Sequence, residues 1–156
     1  AQRIFETTGE DIEIDLEERE FNYLLSGARR LGNVKIENVK GDCVGDSIGS
    51  NDGNVGSVTI SDVEGNNVGY SIGSHDGNVG KVIISNVEGD DVGYKIGSYN
   101  GNVGDVIISN VEGNNVGGWI GYSNGNIGIF SYKNCTGLKL KTINAKKIIN
   151  LDEVQQ

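Results

Sequence analysis

Three consecutive 24-residue units align without a gap: GNVGSVTISDVEGNNVGYSIGSHD (Gly53–Asp76), GNVGKVIISNVEGDDVGYKIGSYN (Gly77–Asn100) and GNVGDVIISNVEGNNVGGWIGYSN (Gly101–Asn124). A divergent unit, Arg29–Asp52, precedes them, and a decaying one opens at Gly125 with GNIGIFSYKNCTG. Together they make about five coils of a fixed period, the signature of units that bury their apolar faces only by stacking on one another.

Within each unit the apolar positions do not move: Val55/Val79/Val103, Val58/Val82/Val106, Ile60/Ile84/Ile108, Val63/Val87/Val111, Val68/Val92/Val116 and Ile72/Ile96/Ile120. All are β-branched, and the spacing of two inside SVTIS and KVIIS is strand alternation. No stretch offers the i, i+3, i+4, i+7 stripe of a helix, so helical repeats are excluded. Gly, Asn and Asp fill the segments between, residues that turn the chain at little steric cost.

These features predict an all-β parallel solenoid of about five 24-residue coils with non-repeat β flanks at both ends, roughly 24 Å long over the repeats. The wall count stays open at this level: three short faces suit the coil length, while the half-repeat NVGSVTIS against NVGYSIGS suits a flatter, two-sided coil. The chain divides into an acidic N-terminal cap or joining segment (1–28), the repeats (29–137) and a basic C-terminal cap or joining segment (138–156). Identical residues one coil apart form ladders. The asparagines at 54, 78, 102 and 126, and at 67 and 115, are placed to exchange amide hydrogen bonds along the axis. On this repeat logic, and not on a family-specific signature, residues 29–137 resemble the parallel β-solenoid (β-helix) proteins of secreted or cell-surface type; an enzyme on a polysaccharide-lyase-like β-helix is disfavoured because the coils offer mostly Gly, Asn and Ser.

Composition narrows the role. The chain has 156 residues, 25 of them glycine and none proline or methionine, with a net charge of −9. Such acidity disfavours nucleic acid and anionic membranes as partners, and no apolar run is long enough to span a bilayer as a helix. The Ala1-Gln2 start reads as a processed, secreted chain.

The flanks carry the charge asymmetry. Residues 1–20 hold eight acids against Arg3 and Arg19, whereas Lys133, Lys139, Lys141, Lys146 and Lys147 stand without an acid until Asp152. A solenoid leaves unpaired backbone at both ends. Opposite charges there predict a head-to-tail homopolymer joined through Glu13, Asp15, Glu17 and Glu18 at one end and Lys139, Lys141, Lys146 and Lys147 at the other, since a heterologous contact propagates instead of closing. The bland counterpart is a pair of ordinary caps whose charge repels other edges.

Cys43 and Cys135 are about four coils apart, roughly 19 Å, too far for an internal bridge but near opposite ends, which admits an intermolecular disulfide. Cys135 in the Val63/Val87/Val111 column also suits a small buried hydrophobe. Tyr70, Tyr94, Tyr99, Trp119 and Tyr122 fall late in the units, as corner packing or as a surface for cell-surface glycans or lateral contact. His75 occupies a variable corner, and the GxG spacings belong to the repeat and lack the strand-to-helix context of a nucleotide fingerprint.

Glu64, Glu88 and Glu112 share a register and repel unless solvent, lysines or a cation intervene. Asp52 and Asp76 become Asn100 and Asn124 in later units, so no carboxylate ladder suited to calcium persists there. Asn134-Cys135-Thr136 is a formal glycosylation triplet. No hydrolytic triad, paired general acid or phosphate loop assembles, so no enzyme, cofactor or resident metal is expected. The sequence thus points first to a structural subunit of an extracellular filament, sheath or surface layer, and second to a secreted adhesin or carbohydrate-binding module.

Overall fold

The computed structural model describes residues 9–154. Strand alternation is realised once per coil. Seven strands, β1 (Ile12–Glu20), β2 (Arg30–Lys40), β3 (Asn54–Glu64), β4 (Asn78–Glu88), β5 (Asn102–Glu112), β6 (Asn126–Cys135) and β7 (Lys147–Asn150), form one sheet in sequence order. Every neighbouring pair is parallel, and the chain is an all-β solenoid with one strand per coil. Six inter-strand steps make the sheet roughly 29 Å deep along the axis.

Each long strand bends where its side-chain period breaks. Val55, Val58, Ile60 and Val63 all point inward and are buried, so the inward spacing runs three, two, three. The strand register skips Gly56 and Asp62 and their equivalents, and Asp62, Asn86 and Asn110 adopt left-handed φ of 55°, 53° and 51°. One extra residue at each place lets an eleven-residue strand curve around the core and still present β-branched side chains to it.

The half-repeat NVGYSIGS is not a second strand. From Asn67 every second residue is left-handed (Asn67, Gly69, Ser71, Gly73, His75), a backbone incompatible with extended structure. This return wall is still bonded coil to coil. Asn67 N and Ser71 N donate to Asp90 O and Tyr94 O of the next coil, and Gly69 N and Gly73 N donate to Val44 O and Ile48 O of the previous one. The inward residues here, Val68 and Ile72, lie four apart, and both are wholly buried against the strand wall. A coil therefore has one strand wall and one turn-built wall.

Stacking also explains the corner glycines. At Gly89, with φ of 157°, an added Cβ would run into the carbonyl oxygen of Gly65 one coil below. No side chain fits there at the strand spacing.

Both flanks continue the stack. Gly45 N donates to Leu24 O and Gly49 N to Ala28 O, the pattern Gly69 and Gly73 make with Val44 and Ile48, so residues 9–28 form a shortened first coil with Leu24 and Ala28 in the core. At the other end Leu138 bridges Val116, a 3₁₀ turn spans Leu140–Thr142, and β7 pairs with β6 from Ile129↔Lys147 to Tyr132↔Asn150.

The core column Ile60–Ile84–Ile108 has no exposed surface, so Ile84→Ala should lower unfolding free energy by about 2–5 kcal/mol in urea titrations. A loss below about 1 kcal/mol would mean that the coils do not pack as a single core.

Candidate functional site

Three sets of side chains run along the solenoid, each fixed by the 24-residue period. Polar ladders come first. Asn102 Nδ2 donates to Asn78 Oδ1 at 3.1 Å and Asn126 Nδ2 to Asn102 Oδ1 at 2.7 Å, so among the described residues the predicted ladder forms over Asn78, Asn102 and Asn126 without Asn54; in the second predicted register Asn115 donates to Asp91 at 3.2 Å, and Asn67 does not join it. Sequence reasoning missed three others, one of them at the corners, where Asn66 and Asn114 donate from N and Nδ2 to Asp42 and Asp90 of the coil below and Asp90 N donates to Asn66 Oδ1. At the strand bulges Asn86, Asn110 and Asn134 each donate to the coil below, ending on Asp62, and Asn38 donates to Asp15. The direction is uniform. A carboxylate only accepts, so Asp62 closes the ladder above it and offers no hydrogen to Asn38.

The third missed ladder is buried. Ser50 Oγ donates to Ser71 O, Ser74 Oγ to Lys95 O and Ser98 Oγ to Trp119 O, in each case the coil above. Its sequence signal was the serine two residues after each inward isoleucine, as in Ile72 and Ser74. The following member of the column is Tyr122, which is exposed.

A groove of about 450 Å³ runs along the strand wall, with Asn38, Asp62, Asn86 and Asn110 on one bank and Lys40, Glu64, Glu88 and Glu112 on the other. The glutamates are in register as expected, and Lys40 Nζ stands 3.8 Å from Glu64. Among the described residues no group of three or more His, Cys, Asp or Glu is arranged to hold a metal ion.

The aromatic residues occupy the return wall. Tyr70 and Tyr94 stack at 5.2 Å between ring centres, with Lys95 Nζ 5.7 and 5.4 Å from the two rings. Lys95 is held above its ordinary pKa chiefly by its hydrogen bond to Tyr70, and burial raises Tyr94. His75, at an exposed corner, stacks on Tyr99 at 4.7 Å, and Tyr99 meets the edge of Tyr122 at 5.9 Å. Trp119 and Tyr122 lie edge to face at 4.5 Å beside an open cleft of about 320 Å³ completed by Ser123 and Lys141–Asn144. Lys141, which the sequence groups with the end charges, thus lines the return wall.

The end charges are not equivalent. Glu13 takes a 2.7 Å bond from Lys35, whose charge is strongly stabilised by Glu13 and Glu37. Asp15 accepts from Glu17 N at 2.9 Å and from Asn38, which holds its carboxyl below the usual range. Glu17 and Glu18 lie 3.7 and 3.8 Å from Arg19 and Lys40. Among the described residues Lys139, Lys141, Lys146 and Lys147 make no ion pair.

Both cysteines are free thiols. Cys135 pairs in register with Val111 as expected, and Cys43 shares the left-handed corner of Asn67, Asp91 and Asn115. They belong to different walls. No helix among the described residues is long and apolar enough to cross a membrane. Comparison with protein-family models, curated proteins and solved structures found no match to this chain.

Two measurements follow from the ladders and thiols. Asn86→Asp removes the donor to Asp62 and faces one carboxylate with another; it should destabilise by about 1 kcal/mol at neutral pH, with the deficit relative to wild type shrinking as pH falls through the carboxylate range. Burial raises both thiol pKa values, with Asp46 and Asp42 adding to Cys43 and Asp152 to Cys135. A raised pKa leaves less thiolate, so iodoacetamide should label native chain at pH 7.4 several-fold more slowly than urea-unfolded chain, by mass spectrometry, with the native rate climbing above about pH 9.

Proposed function

We propose that this chain is a structural subunit of an extracellular filament, sheath or surface layer, and that copies join end to end by extending the sheet from β7 of one molecule to β1 of the next. The observation that carries this reading is Ile148. It stands at the head of the inward column Ile12, Val34, Val58, Val82, Val106 and Phe130, yet it is 43% exposed, because among the described residues no further coil covers it. Leu140 and Val154 are also exposed in this C-terminal flank.

The column pattern gives the joint a register. Continuing the stack sets Ile148 against Ile12 of a second copy and Lys147 against its Asp11, the residue preceding Ile12. Among the described residues no strand pairs with the outer edge of β1. Such an edge-to-edge contact hides two open strand edges and one apolar patch at once. Charge contributes less than the sequence implies, since Glu13, Asp15, Glu17 and Glu18 already have partners within the chain, and apolar burial at Ile148 supplies the larger share.

Analytical ultracentrifugation and electron microscopy across a concentration series test the proposal. Wild type should form particles that lengthen with concentration. Ile148→Asp should keep the chain monomeric, while Lys146→Glu with Lys147→Glu should weaken association by a smaller, salt-sensitive amount. A wild-type chain that stays monomeric at roughly millimolar concentration overturns the reading.

A further inference from the structure

The last full unit departs from its predecessors at three positions within six residues. Where the two earlier units have VGYSIGS and VGYKIGS, this one has VGGWIGY, so Gly118, Trp119 and Tyr122 replace Tyr, Ser or Lys, and Ser. The inward Val116 and Ile120 are unchanged and buried, so the core does not require the exchange. All three changes act on the same part of the surface. An atom added at Gly118 would lie 2.8 Å from the ring of Tyr94, so only glycine leaves that ring its place. Trp119 and Tyr122 line the cleft.

Trp119 is fixed in position although its side chain is 38% exposed. Its backbone is left-handed, with φ of 58°, where a bulky side chain is unfavourable. Three hydrogen bonds hold it there: Trp119 N donates to Thr142 Oγ1 at 3.0 Å, and Trp119 O accepts from Tyr122 N at 3.2 Å and from Ser98 Oγ. Thr142 Oγ1 in turn donates to Lys139 O, and Asn144 is anchored through Gly121 O. These bonds fix the Trp119 backbone, and the edge-to-face contact with Tyr122 at 4.5 Å orients the indole beside the cleft.

We propose that this cleft binds one pyranose ring of an acidic polysaccharide, a uronic acid unit, with a sugar face on Trp119 and the carboxylate drawn to Lys141. The axial C–H groups of a pyranose present a weakly positive face that complements the negative face of an aromatic ring. Polar groups at the rim, among them Ser123 and Asn144, suit hydroxyls. Against the net charge of −9, Lys139, Lys141, Lys146 and Lys147 form a local run with no acid until Asp152 and no ion pair among the described residues, so the exposed Lys141 is available to an acid. Tyr70 and Tyr94 stack face to face, which covers a ring face of each, whereas Trp119 and Tyr122 meet edge to face. The site stands independently of end-to-end assembly.

Trp119 is the only tryptophan in the chain, so its fluorescence reads the site directly. Tetragalacturonate titrated into the full-length protein should change that emission with saturation, and the same binding should appear by calorimetry. Trp119→Ala should weaken calorimetric affinity at least about tenfold and Lys141→Gln about three- to tenfold, with Tyr70→Ala as a control that binds as wild type does. Circular dichroism melting would establish that each variant is folded. No saturable response up to about 10 mM ligand, or affinity unchanged in folded Trp119→Ala, overturns the proposal. A neutral cello-oligosaccharide that binds as tightly as the uronate overturns the acidic assignment.

Discussion

The rest of the structure depends on one constraint: each residue must tolerate its own equivalent about one strand spacing above and below it. Backbone hydrogen bonds between coils impose that spacing on both walls, through parallel strands on one side and alternating left-handed turns on the other. Side chains are then sorted by what they do when stacked. Valine and isoleucine pack on themselves and fill the interior. Asparagine bonds its own copy at the left-handed bulges and at the strand starts, and bonds aspartate at the corners. At Gly65, Gly89 and Gly113 glycine is required because the carbonyl of the coil below leaves no room for Cβ.

The same constraint explains how the repeats change towards their ends. An acceptor-only residue ends an amide ladder, so Asp62 and Asp15 sit at the lower ends of runs whose upper members are asparagines. The buried serines need a carbonyl in the coil above, and the column passes to the exposed Tyr122 at the last full coil. Replacing a stacking residue by one with no repeat partner frees that position for another purpose. Trp119 and Tyr122 occupy such positions, whereas Glu64, Glu88 and Glu112 remain tied to the period and to the solvent that screens them.

Regularity also leaves the ends as the places where satisfaction is incomplete. A coil inside the stack has both edges paired, and among the described residues β7 has only one. Its exposed isoleucine, Ile148, belongs to a column that is wholly buried from Val58 to Phe130. On β1 the acids Glu13 and Glu18 face Lys35 and Lys40 of β2.

The sequence by itself determined the fold class, the columns and their contents, because identical residues at one period have only one way to be buried together. Val111 beside Cys135, the stacked glutamates and the Asn78, Asn102 and Asn126 ladder were all legible for that reason. Only the tertiary structure decided the return wall, since alternating left-handed residues and a second strand share the same Gly, Asn and Ser composition. It also decided that residues 9–28 are a coil, because their stacking is set by backbone bonds to the next coil and not by a repeated letter pattern. The Trp119 cleft was out of reach of the period for a further reason. Its second bank comes from Lys141–Asn144, which has no counterpart in the repeat and finds its place only through the bonds that hold it against Trp119 and Gly121.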